Sequence, residues 1–117
     1  MRPHENLEVW KDAIDLAVHV YEVFRSCRDF SFRDQIHRAS VSVSSNIAEG
    51  YERDSNTGFI RFLFIAKVSC GEVRSQAVVA TRVKLLDEAR SALLITDAKR
   101  LSKRIMRLIE ARREKFD

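Results

Sequence analysis

The chain has 117 residues, 45% of them hydrophobic, enough for one domain with a single core and too few for two. Its three glycines and one proline leave almost nothing with which to build strand-rich turns, whereas Ala, Leu, Arg, Glu and Lys are plentiful and favour helix. The net charge is only +4, no apolar run approaches the roughly 20 residues that span a bilayer, and Met1-Arg2-Pro3-His4-Glu5 leads into no apolar stretch of the secretory kind. The expectation is one all-helical domain over residues 1–117, cytoplasmic and without a membrane segment.

Apolar spacing predicts four helices. The first, over 5–27, follows Leu7, Trp10, Ile14, Ala17, Tyr21 and Phe24 in alternating steps of three and four. After a polar break at Arg28-Asp29, the second, over 32–52, follows Phe32, Ile36, Ala39, Val43, Asn46 and Gly50. Asp54-Ser55-Asn56 then supplies a helix cap. The third helix, over 56–86, follows Phe59, Phe62, Ala66, Ser69, Val73, Gln76, Ala80 and Val83. Asp87 caps the fourth, over 88–114, along Leu94, Ala98, Leu101, Ile105 and Leu108. Short breaks force antiparallel neighbours, so the pattern predicts an up-down-up-down four-helix bundle.

Two seams carry unusual residues. Ala66, Ser69, Cys70, Ala77 and Ala80 make one stripe of the third helix narrow, which permits close backbone approach within the bundle or against another subunit. On the second helix, Ser40-Val41-Ser42-Val43-Ser44-Ser45-Asn46 sets small polar groups into an otherwise apolar face. Buried polar atoms there require hydrogen-bond partners. Glu49 meets Arg38, Arg53, Arg74 or a neighbouring subunit's arginine, or else stands exposed at the helix end; spacing alone does not choose between these. Cys27 and Cys70 lack metal-ligand spacing and fall among apolar neighbours, as buried thiols of a reducing compartment do.

Charge is distributed unevenly. Residues 1–87 hold 12 Lys or Arg against 12 Asp or Glu, while residues 88–117 hold nine against five. Lys99, Lys103 and Arg107 stand at i, i+4, i+8, flanked by Arg100 and Arg104, on the side opposite the apolar seam. Such a band tracks phosphates by charge, without base specificity. The plainer reading is a solvated helix face, and repetition of the band around an oligomer would raise avidity without a new contact.

Catalytic patterns are weak. A di-metal carboxylate bundle uses Glu-x-x-His on two helices, and the nearest match is a single Asp34-x-x-His37, read as a surface pair. His4, His19 and His37 have no zinc-site spacing. Ser40, Ser42, Ser44 and Ser45 have no His-and-acid arrangement, and there is no Gly-rich phosphate loop. The expectation is a protein that is not an enzyme, with no metal and no cofactor; a site assembled between subunits is a third, weaker reading.

Leu7-Glu8-Val9-Trp10-Lys11-Asp12-Ala13, Gln35-Ile36-His37-Arg38-Ala39, and Ser42-Val43-Ser44-Ser45-Asn46-Ile47-Ala48-Glu49-Gly50 with Arg53 and Ser55 resemble a known family. These are the four-helix-bundle proteins encoded in intervening sequences of bacterial 23S rRNA genes. Ala66-Lys67-Val68-Ser69 with Glu72 and Gln76, and Leu108-Ile109, extend the resemblance over nearly the whole chain. Two residues depart from it: Ser44 stands where the family usually has Pro, which predicts a straighter second helix, and Val68 where it has Gly, which predicts an altered helix contact.

The resemblance implies a basic homo-oligomer, a ring of five protomers. It extends to accessory proteins of diversity-generating retroelements, which associate with RNA and a reverse transcriptase. It also implies that Gln35, Arg38, Asn46, Glu49, Gly50 and Arg53 are motif positions, favoured here as structural. The leading expectation is a non-enzymatic ring that associates with RNA through Lys99, Arg100, Lys103, Arg104 and Arg107. The alternative is a protein-binding adaptor, such as a reverse transcriptase partner, using Phe59, Phe64 and Ile95.

Overall fold

Three side chains start three of the helices. Asp29 Oδ1 accepts from the Phe32 amide at 3.0 Å, Ser55 Oγ from Gly58 at 3.0 Å, and Asp87 Oδ1 from Arg90 at 2.8 Å. Each satisfies an amide that has no partner within its own first turn. The computed structural model of the chain describes residues 7–116, and among these are α1 (Glu8–Val23), α2 (Phe30–Tyr51), α3 (Asn56–Arg82) and α4 (Glu88–Phe116), with no strand.

Each helix packs against its two neighbours in the order α1–α2–α3–α4–α1, and the backbones of the diagonal pairs stay further apart. The result is the predicted antiparallel bundle, an elongated body of 46 × 20 × 19 Å. Its core contains Val9, Ala13, Leu16 and Val20 of α1, Ile36, Val43 and Ile47 of α2, Leu63, Ala66, Val73 and Ala77 of α3, and Leu94, Ala98, Leu101, Ile105 and Ile109 of α4.

Three sequence expectations need correction. Within the described residues α1 stops at Val23 rather than 27, and its core stripe is Val9, Ala13, Leu16, Val20. Of the predicted stripe, Ala17 and Phe24 are buried, but Trp10, Ile14 and Tyr21 lie about a quarter turn away from the core line at 100° per residue; Trp10 and Ile14 are half-buried and Tyr21 is 47% exposed. The second correction concerns α3, which ends at Arg82 instead of 86. Leu85 N donates to Ala80 O at 2.8 Å and Lys84 N to Thr81 O at 3.1 Å, while Lys84 takes φ 64°. This is a Schellman termination with lysine in the left-handed position that glycine usually fills. Third, Ile109 rather than Leu108 closes the α4 core; Leu108 is half-buried.

The α2–α3 seam brings two backbones close together at Gly50. A Cβ built on Gly50 would lie 2.6 Å from Phe62 Cβ and 3.2 Å from Phe59 O. Nearby, Asn46 Nδ2 donates to Ser42 O at 2.8 Å and to Ser42 Oγ at 2.9 Å, and Ser42 Oγ lies 3.0 Å from Ser69 Oγ. Ser42 and Ser69 thus bond across the two helices, while Asn46 bonds Ser42 within α2. With Ser44, α2 runs unbroken, and the Ser44 hydroxyl donates to Val41 O at 3.0 Å. Val68 makes no close helix contact; it is 64% exposed.

Gly50→Ala forces apart two backbones that Phe62 and Phe59 hold together. The expected loss is about 1–3 kcal/mol, the usual range for overpacking, read from a thermal or urea unfolding curve.

Candidate nucleic-acid interface

The five basic residues named on α4 do not act as one band. Lys99, Lys103 and Arg107 are exposed on the side opposite Leu94, Leu101 and Ile105, and none of the three forms a salt bridge among the described residues. Arg104 turns the other way. Its Nη1 donates to Asp12 Oδ2, joining α4 to α1 with both side chains part-buried. Arg100 Nη1 lies 3.8 Å from Asp97 Oδ1, and Asp97 Oδ2 in turn meets His19 Nδ1 at 2.9 Å. The α1–α4 groove that these residues line, about 330 Å³ in volume, also contains Asp15, so acids and bases there largely offset one another. A row of three outward cations, Lys99, Lys103 and Arg107, remains.

The motif residues divide similarly. Gly50 and Asn46 lie within the α2–α3 seam, as described above. Glu49 and Arg53 are both exposed and bond at 2.9 Å one helical turn apart, so the proposed pairing and the proposed exposure hold together. The Arg53 guanidinium also lies 4.8 Å from the centroid of the Phe62 ring. Gln35 and Arg38 are exposed.

Several chemical groups are placed away from any reactive arrangement. Among the described residues no three His, Cys, Asp or Glu side chains gather as metal ligands, and no helix is long and apolar enough to cross a membrane. His4 lies outside the described residues. His37 is no surface partner of Asp34: its ring stacks on Tyr21, with centroids 3.8 Å apart and planes 11° apart. Phe59 is only 3% exposed, and Phe64 and Ile95 pack against the core. Exposed apolar side chains lie elsewhere, among them Val18 and Val41 on α1 and α2, Ile65, Val68 and Val79 on the outer face of α3, Val83 just past its end, and Phe30 and Leu93.

An antiparallel four-helix bundle with a hydroxyl-lined second helix and one cationic outer row is the class that fold and surface define. A profile of the 23S rRNA-intervening sequence protein family matches residues 5–107, and the chain belongs to that family. A solved structure from Bacteroides thetaiotaomicron, of a protein with unknown function from the S23 ribosomal protein family, is similar in fold. It has a TM-score of 0.81 and 21% identity, covering 86% of this chain and 97% of that one. No curated protein matches the chain.

The two cysteines differ in setting. Both are free; Cys70 is buried, and burial pushes its thiol up to about 12, outweighing the pull of Lys67 and Arg74. Cys27 is half-buried just beyond the end of α1. At pH 8, native protein treated with a thiol reagent is expected to label at Cys27, and Cys70 only on unfolding. Peptide mapping of the labelled chain distinguishes them.

Proposed function

We propose that the protein is a non-enzymatic, homo-oligomeric RNA-associating bundle that works in the cytoplasm. Support comes from its family and from one observation above the others: Lys99, Lys103 and Arg107 form a straight row of outward cations without acidic partners among the described residues. A single row binds weakly. Copies arranged around an axis multiply it, since each further phosphate is met at high effective concentration.

Assembly into a ring requires two different complementary surfaces on each protomer. The chain has two apolar areas suited to this: the groove between α1 and α2 formed by Ile14, Ala17, Val18 and Val41, and the outer stripe of α3 formed by Ile65, Val68, Val79 and Val83. Five copies is the number implied by the family resemblance. The same apolar areas support the adaptor reading, in which a different protein, such as a reverse transcriptase, occupies one of them.

Two measurements test these proposals. In the combined variant Lys99→Glu, Lys103→Glu, Arg107→Glu, affinity for single-stranded RNA is expected to fall and its salt dependence to flatten. The slope of log K against log salt changes by about 0.7 for each phosphate that the protein no longer neutralises. An unchanged slope with intact helical circular dichroism removes the row from the proposal. Val68→Glu with Val79→Glu is expected to reduce the mass measured by light scattering to that of a monomer while the helical content stays. A wild-type monomer at high concentration would refute the ring, and copurification of another protein after nuclease treatment would favour the adaptor.

A further inference from the structure

The end of the bundle where α1 passes into α2 concentrates positive charge around two stacked rings. Tyr21 and His37 lie face to face, and grooves open beside them. One, about 330 Å³, is lined by Tyr21, Arg25, Arg33 and His37; the other, about 320 Å³, by Tyr21, Asp34, His37, Arg38 and Val41. These volumes fall at the lower end of the range for small-molecule sites.

The hydrogen bonding of this spot is incomplete. Arg33 Nε and His37 Nε2 are both shut off from water without a hydrogen-bond partner. Asp34 Oδ1 is 3.7 Å from Arg33 Nε, near enough for charge attraction and too far for a hydrogen bond. The Arg33 guanidinium rests 4.7 Å from the centroid of the Phe30 ring. A buried donor without an acceptor is costly, and because the Arg33 side chain keeps 30% of its surface, an oxyanion in the groove can approach the same guanidinium from its open side.

We infer that this end of the bundle is a nucleotide site, in which Arg25 and Arg33 hold a phosphate and the exposed ring of Tyr21 stacks a base. Arginine forks match phosphate oxygens geometrically, and a base stacked on an aromatic ring over an electropositive groove is the recurring mode for unpaired nucleotides. Tyr21 keeps 47% of its surface while His37 covers one face of it, so the ring offers the base an already ordered platform. The nucleotide is free or belongs to a single strand. The site is remote in sequence from the α4 row and rests on the RNA reading only for the second of these sources.

His37 provides the reporter. The groups facing it are Tyr21 from α1, Arg25 from the turn just past its end, and Arg33, Asp34 and Arg38 from α2. Its pKa lies below the ordinary 6.5 because burial and then Arg33 oppose its charge more than Asp34 favours it. A bound phosphate adds negative charge beside the ring and raises that pKa, so binding tightens as pH falls toward it.

The test is NMR titration of the His37 ring in the full chain with AMP, inorganic phosphate, adenosine and an adenosine pentanucleotide. AMP is expected to move the His37 resonances and raise the pKa, and to bind more tightly than phosphate or adenosine. Arg25→Gln with Arg33→Gln is expected to weaken AMP by about tenfold or more, Tyr21→Leu to abolish the preference for AMP over phosphate, and Tyr21→Phe to retain it. The Lys99→Glu, Lys103→Glu, Arg107→Glu variant is expected to keep the AMP response, which separates failure of the α4 row from failure of this site. A pentanucleotide that moves His37 identifies a strand as a ligand, and one that does not leaves the free nucleotide. No response of His37 to AMP at about 10 mM, where even a millimolar Kd gives near saturation, overturns the inference. So does a response that survives loss of both arginines, or adenosine binding as tightly as AMP.

Discussion

The approach of α2 to α3 governs the remaining geometry. Gly50 offers no side chain where Phe62 comes down, and Ser42, Asn46 and Ser69 replace apolar bulk with hydrogen bonds at the same seam. Two backbones so close resist sliding, because a shift of one residue would bring a Cβ against Phe62 and leave hydroxyls unpaired. With α2 and α3 fixed, α4 is fixed by the Schellman turn at Lys84 and by bonds between Asn56 and Arg112 at the far end. The direction of α4's outer row follows from this pair of constraints.

Helix number, order and most boundaries were legible in the sequence, because caps such as Ser55 and Asp87 act locally and apolar spacing repeats over many turns; the cap at Asp29 was read only as a polar break, so α2 starts at Phe30 rather than 32. The inner face of α1 was not. That helix has apolar residues on two faces, and periodicity weighs Trp10-Ile14-Tyr21 equally with Val9-Ala13-Leu16-Val20. Only packing against α2 and α4 decides which face turns inward. The early end of α3 was hidden for a different reason, since no glycine marks the left-handed residue at Lys84.

The candidate site was legible in part, for the same physical reason. Lys99, Lys103 and Arg107 share a face by helical spacing alone. The removal of Arg104 depends on Asp12, far away in the chain, and no local pattern announces it. The cluster of Tyr21, Arg25, Arg33 and His37 was missed altogether, because its members come from two helices and a one-helix view reads His37 as a partner of Asp34. The available signal was the aromatic Tyr21 on a stripe that the core does not use.

Two kinds of surface therefore remain outside the core, and their chemistry divides them. The apolar areas on α1–α2 and α3 lose unfavourable contact with water when covered, and this requires a partner of matching shape. The arginines near His37 gain from an anion of small size and require no extended partner. The α4 row lies between these limits: its charges are solvated and separated by one helical turn each, so a single phosphate gains little from it and a chain of phosphates gains repeatedly. A bundle with this division can hold copies of itself by apolar faces while its charged surfaces stay open to solvent. Tyr21 borders both the α1–α2 groove and the arginine cluster, so a neighbouring protomer seated on Val18 and Val41 would form part of the wall against which a nucleotide stacks.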